Sequence, residues 1–222
     1  MNWMLLDIEG TTTPISFVYD CLFPYAREHL VSFVQSHFDE LAVKEFAAIA
    51  REQGRPFSPD AAGLAAEALA QMDEDRKSGC LKLLQGQIWE SGYQSGQLQS
   101  EVFPDVPEAF ARWKQEGRGI AIYSSGSVQA QKLLFAHTRY GDLRSSLSDY
   151  FDTGVGPKRE PESYTRIAKK LGTSPEHILF ATDIGEEAHA AVQAGLRTVI
   201  LQRPGNVPVE VDFPTARDFA TL

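Results

Sequence analysis

The feature that most constrains this chain is the apolar run Trp3–Leu6, which stops at Asp7 and is followed by Glu9, Gly10 and the three threonines Thr11, Thr12 and Thr13. A short apolar run cut off by turn-forming residues reads as a strand buried on both faces, as in a parallel sheet. Asp7 then stands at the strand's carboxyl end, where the loops of an open α/β sheet line the crevice in which ligands bind. Two carboxylates one residue apart point to opposite faces of an extended strand, but a turn at Gly10 and Thr11 lets the chain curl so that both face one pocket. Such a pair suits a divalent cation together with an acid/base group. A bare Asp-x-Glu would be read as an acidic turn; the strand before it and the Gly-Thr-Thr after it make the pattern more specific.

Composition narrows the partners. A formal net charge of -9 over 222 residues argues against nucleic acid or an anionic membrane surface as the main partner. A small anionic substrate would need local positive charge or a metal. No stretch approaches the roughly 20 apolar residues of a spanning helix. The N-terminus has no basic region and Asp7 interrupts its apolar run, so no signal peptide is expected and the expected location is cytoplasmic. Cys21 and Cys80 lie far apart without zinc-like spacing and read as free thiols. A monomer is the expected state.

Beyond residue 14 the strand pattern disappears for some eighty positions. Val18, Leu22, Tyr25, His29, Phe33 and Val34 recur at helical spacing, and 41–50 continues in that style. The cluster 54–59 is a turn, with Ser58 as helix cap and Pro59 at the first helical position. Helices are expected over 60–72 and 80–89, with Gly92 and Gly96 in a connector. From there helix and strand alternate. Helices are expected over 106–115, 127–137, 162–171 and 186–194, strands over 120–123, 178–181 and 198–201, and a short strand and turn over 151–156. That alternation implies βαβ units around a parallel sheet. The expectation is a three-layer, Rossmann-like α/β core built from 1–14 and 98–222, with 15–97 inserted as a helical cap that can serve as a lid.

Four strand ends carry polar groups. Asp7 and Glu9 follow the first, and Ser124 and Ser125 follow the second, beside Gly126 and a helix start suited to phosphate oxygens. Lys158 sits on a glycine-containing loop, and Asp183 follows the strand at 178–181. Each has a dull explanation: turn serines, a solvated lysine, and Glu186 and Glu187 as acidic residues opening a helix against its macrodipole. The ordered set is harder to dismiss. The histidines His29, His37, His137, His177 and His189 share no ligand spacing. Phe23, Tyr25 and Trp89 read as helix packing, with an apolar substrate pocket as the alternative.

The order Asp-x-Glu-Gly-Thr, strand plus Ser, Lys, strand plus Asp resembles the haloacid dehalogenase superfamily of phosphohydrolases. More closely, Asp7-Ile-Glu-Gly-Thr-Thr-Thr-Pro14, Phe23-Pro-Tyr25, Ile122-Tyr-Ser-Ser-Gly-Ser-Val128 and Lys158 with Glu162-Ser-Tyr164 resemble the enolase-phosphatase E1 family of methionine salvage. The likeness covers nearly the whole chain. It implies a substrate that is a small phosphorylated diketone, 2,3-diketo-5-methylthiopentyl phosphate, enolised and then dephosphorylated to an acireductone. It implies Asp7 as nucleophile and Mg²⁺ ligand, with the Glu9 carbonyl and the Asp183 carboxylate completing the protein's share of the metal shell. Ser124 and Ser125 would hold the phosphate, Lys158 would neutralise it, and the Glu9 side chain would be the acid/base. The competing readings are a Mg²⁺-dependent phosphatase for another small metabolite and a catalytically silent binding module.

Overall fold

The computed structural model describes residues 2–222 apart from 56, 75, 77 and 209–211. The chain divides into two compact units, Met1–Val18 with Gln99–Leu222, and Tyr19–Leu98.

Among the described residues the first unit holds a six-stranded parallel sheet. Its strands are β1 (Trp3–Leu6), β2 (Gly119–Tyr123), β3 (Asp149–Phe151), β4 (Ile178–Thr182), β5 (Arg197–Leu201) and β6 (Thr215–Ala216), in the order β3-β2-β1-β4-β5-β6. β1 is central and pairs on both sides with strands that come over a hundred residues later, Leu6 standing opposite Ile122 and Ala181. Every residue of β2 is buried, as a strand covered on both faces requires. On the sheet face of Leu5, Tyr123 and Phe180, Tyr164 and Ile167 from the helix Pro161–Lys170 and Ala190 and Ala191 from the helix Gly185–Gln193 complete a core. Helices Val106–Gln115 and Val128–Ala136 meet through Phe110 and Phe135, ring centroids 6.1 Å apart. This is the doubly wound α/β architecture expected. The two-residue β6 has no apolar run to announce it.

The second unit contains α1 (Phe23–Ser36), α2 (Leu41–Glu52), α3 (Ala61–Asp73) and α4 (Gly79–Gln94), after which the helices above become α5 to α8 in chain order. Leu30, Val34, Phe46, Leu64, Ala68 and Leu84 are fully buried in its core. Three local expectations need correction. The residues Phe17–Leu22 form a π-helical turn rather than regular helix. The cap of α3 is Asp60, not Ser58: its carboxylate accepts from Gly63 N at 2.7 Å, a better acceptor placed three residues ahead of the orphan donor. α4 runs past Gly92 to Gln94, because the buried Tyr93 continues the apolar face and one glycine costs a helix only about 1 kcal/mol. No helix among the described residues is long and apolar enough to cross a membrane.

The carboxyl-terminal segment ties back to the loop after β1. Arg203, 5% exposed, lies between the rings of Phe103 and Phe219 and donates from Nε to Thr11 O at 3.0 Å and from Nη1 to Asp105 Oδ1 at 2.8 Å. Asn206 Nδ2 donates to Gly10 O at 2.8 Å. Removing Arg203 would strand a shielded carboxylate and a buried carbonyl together. Arg203→Ala should therefore lower unfolding free energy by about 3 kcal/mol in a urea titration; a loss under about 1 kcal/mol would reject this role for the clamp.

Candidate active site

Three strand ends meet at one level. Asp7 N donates to Ala181 O at 3.0 Å, extending the ladder one residue past β1 and delivering the Asp7 side chain beside the end of β4. The chain then turns sharply: Thr11, Thr12 and Thr13 all direct their backbone N–H to Ile8 O, and Gly10 N donates to Thr13 O at 2.8 Å. All three threonines are buried. Thr12 Oγ1 lies 3.3 Å from the carbonyls of both Asp7 and Ile8. Gly10 has φ 70, and a Cβ there would stand 2.2 Å from Asp183 Oδ2. Glycine is needed both for the backbone conformation and for the approach of that carboxylate.

Lys158 is the electrostatic hub. Its Nζ lies 2.6 Å from Asp7 Oδ1 and 2.8 Å from Glu187 Oε2, with all three side chains nearly enclosed. Thr182 Oγ1 donates to the same Glu187 oxygen at 2.9 Å and accepts from Ile184 N at 3.2 Å. Ser124 Oγ reaches Glu9 Oε2 at 3.3 Å and accepts from Gly126 N at 3.2 Å. Gln131 holds the serine loop by donating to Gly126 O and, across the gap, to Phe151 O. Ser125 stands exposed on that loop.

Charge is unevenly compensated. Burial, and then the Asp7 charge, raise the Glu9 carboxyl above its usual range. The same two causes push Asp183 up to about 7, and Glu187 to about 7 in spite of its lysine. Burial alone would lower Lys158, but Asp7 and Glu187 outweigh it and hold the ammonium above its ordinary value. Four carboxylates thus share this site with the Lys158 ammonium. Among the described residues no group of three or more His, Cys, Asp or Glu side chains could by itself hold a metal. A cation here would rely on Asp7, Asp183 and a backbone oxygen such as that of Glu9. Those are hard oxygen donors with excess negative charge beside a glycine that a side chain would obstruct, which fits a small divalent ion.

The structure therefore gathers Asp7, Glu9, Ser124, Lys158 and Asp183, with Ser125 adjoining. Sequence reasoning missed Glu187 by treating it like Glu186, which is exposed and needs no more than the helix dipole. No local signal separates the two: both lie in the first turn of α8, and they differ in which of them faces Lys158.

Comparison with known proteins places the fold in a family. The family model of haloacid dehalogenase-like hydrolases matches residues 1–195. Enolase-phosphatase E1 of Thioalkalivibrio sulfidiphilus is 48% identical over 217 residues, spanning 98% of this chain and 96% of the relative. Enolase-phosphatase E1 of Synechococcus elongatus is 47% identical over 229 residues, spanning 99% and 96%. The crystal structure of the UTR4 protein of Saccharomyces cerevisiae superposes with a TM-score of 0.86 at 35% identity, covering 100% of this chain and 99% of that one.

The charge imbalance predicts a stability effect in metal-free protein. Asp183 is raised from 3.8 to about 7 in the folded state, so between those values the folded chain binds more protons than the unfolded one. Its contribution is fully present at low pH and is lost as pH rises through about 7. In chelator, Asp183→Asn should raise the melting temperature by about 2–4 °C at pH 8, equivalent to about 1 kcal/mol, and by much less at pH 5. An equal or opposite effect at the two pH values would contradict the assigned repulsion.

Proposed function

Because the chain belongs to the enolase-phosphatase E1 family of the haloacid dehalogenase-like hydrolases, we propose that its residues divide the labour of methionine-salvage enolase-phosphatase chemistry as follows. Asp7 is the nucleophile: a carboxylate oxygen attacks phosphorus, the bond to the leaving oxygen breaks, and an aspartyl-phosphate forms. The Glu9 carboxyl donates the proton that the leaving oxygen takes up, then recovers one from the water that hydrolyses the aspartyl-phosphate. Its raised protonation range suits it to begin as the acid. Ser124 orients Glu9 and faces the phosphoryl oxygens, with Ser125 beside it on the loop.

The observation that carries this reading is the Lys158 ammonium 2.6 Å from Asp7 and backed by Glu187. A carboxylate and a phosphate dianion repel each other, and a fixed cation beside the nucleophile offsets that repulsion as charge spreads over the equatorial oxygens. Glu187 keeps the lysine charged and aimed. Mg²⁺ held by Asp7, Asp183 and the Glu9 carbonyl would supply further neutralisation of the phosphate and polarise the substrate carbonyl for enolisation. The substrate proposed is the phosphorylated methylthio-diketone of that family.

Asp7→Asn should lower phosphate release by at least roughly 10³-fold with the circular dichroism spectrum unchanged. Near-normal turnover would reject the nucleophile. Glu9→Gln should cost roughly 10²- to 10⁴-fold in kcat with little change in KM. A change confined to KM would count against acid/base catalysis. Following enol absorbance and free phosphate together on the diketo phosphate should show enol and phosphate both appearing; phosphate without any enol signal would favour a phosphatase for another metabolite.

A further inference from the structure

The loop that presents Lys158 is anchored through its carbonyl oxygens. Four in succession accept a side-chain hydrogen bond: Val155 O from Arg166 Nη1 at 2.9 Å, Gly156 O from Tyr123 Oη at 2.8 Å, Pro157 O from Ser163 Oγ at 2.8 Å and Lys158 O from Tyr164 Oη at 2.6 Å. Loop carbonyls at a protein surface are ordinarily left to water. Here three of the four donors, Tyr123, Ser163 and Tyr164, are fully buried. Ser163, Tyr164 and Arg166 come from the first turns of α7, and Tyr123 is the last residue of β2.

The local backbone is shaped for this. Gly156 has φ 142, and a Cβ on it would meet Ser163 Oγ at 2.2 Å and Arg166 Nη1 at 3.1 Å. The rings of Tyr123 and Tyr164 pack edge to face at 5.5 Å, and Tyr164 packs on Phe180 at 5.2 Å, so the two hydroxyls are delivered from immobile rings. The Lys158 Nζ lies 5.8 Å from the Tyr123 ring centroid. Burial also pushes the Tyr164 phenol above its ordinary value, which keeps the donor protonated.

A lysine is a point charge on a flexible four-carbon stem and has no direction of its own. Its usefulness to a developing phosphoryl charge depends on where the stem begins. We propose that Tyr164, assisted by Tyr123, is a positioning residue for phosphate-ester cleavage: Tyr164 donates to the Lys158 carbonyl and Tyr123 to the Gly156 carbonyl, and together they fix the origin of the lysine stem, so that the ammonium meets the phosphoryl group without reorganisation. The inference rests on the assignment of Lys158 as the phosphate's counter-charge, and its test separates the two.

In the 222-residue chain, Tyr164→Phe keeps the ring and removes the donor. Well below the melting temperature of the variant, kcat/KM for phosphate release should fall roughly 10- to 100-fold and inhibition by inorganic phosphate should weaken roughly tenfold. In a Lys158→Met background the same substitution should change neither quantity, since the group it positions is gone. Ile167→Val trims the core face of the same helix without touching the loop, and should leave kcat/KM unchanged at a comparable loss of stability. Should Tyr164→Phe fail to fold, Tyr123→Phe, which frees Gly156 O, reads out the same quantities. Wild-type kcat/KM and phosphate inhibition in Tyr164→Phe and Tyr123→Phe would overturn the inference whatever happens to the melting temperature, and so would additive losses with Lys158→Met. Undiminished turnover in Lys158→Met itself would instead overturn the role of the lysine.

Discussion

Removing the Lys158 ammonium from water costs on the order of several kcal/mol, and the contacts with Asp7 and Glu187 that offset it dictate much of what surrounds them. A buried ion pair is stabilising only when its geometry is good and its remaining valences are met. Thr182 supplies one such partner to Glu187, and Tyr164 fixes the backbone of the lysine itself. The negative side is deliberately in excess: with Asp183 and Glu9 included, carboxylates outnumber the ammonium and drift toward their protonated forms. Such an arrangement is costly to an empty protein. Under the proposed function, a divalent cation and a phosphate would complete the charge balance.

The sheet makes this concentration of charge possible. A parallel strand cannot turn straight back to its neighbour, so the chain must travel far before β1 gains its partners. Because β1 lies between β2 and β4, its carboxyl end opens into the crevice flanked by the loops of both. Backbone register sets Asp7 beside the last residues of β2 and β4, so that Ser124 and Asp183 follow one residue further on either side, and the Lys158 loop, which follows β3, adds the cation. The carboxyl-terminal segment also grips two successive carbonyls of the loop after β1, those of Thr11 and Gly10, through Arg203 and Asn206.

Much of this could be read from the chain. The strand and helix alternation after residue 100 was legible because each element repeats a local period, and α5 falls on the boundaries expected of it, Val106–Gln115. Asp7, Glu9, Ser124 and Asp183 were legible as polar residues that terminate apolar runs. The exceptions have local causes: α3 takes Asp60 over Ser58 as its cap, and α4 passes through Gly92 because the next residue, Tyr93, has a core to enter.

What the sequence determined by itself was periodicity and chemistry: a parallel α/β core with a helical insertion, and an ordered series of carboxylate, serine, lysine and carboxylate at strand ends. Only the tertiary structure decided which of two adjacent glutamates matters, since Glu186 and Glu187 are chemically identical and differ in which side of α8 faces the lysine. It alone also revealed that Tyr123 and Tyr164 hold a loop rather than merely fill a core. The physical reason is common to both: a residue's protonation, burial and hydrogen-bond partner are set by groups that arrive from elsewhere in the chain, and no local pattern carries that information.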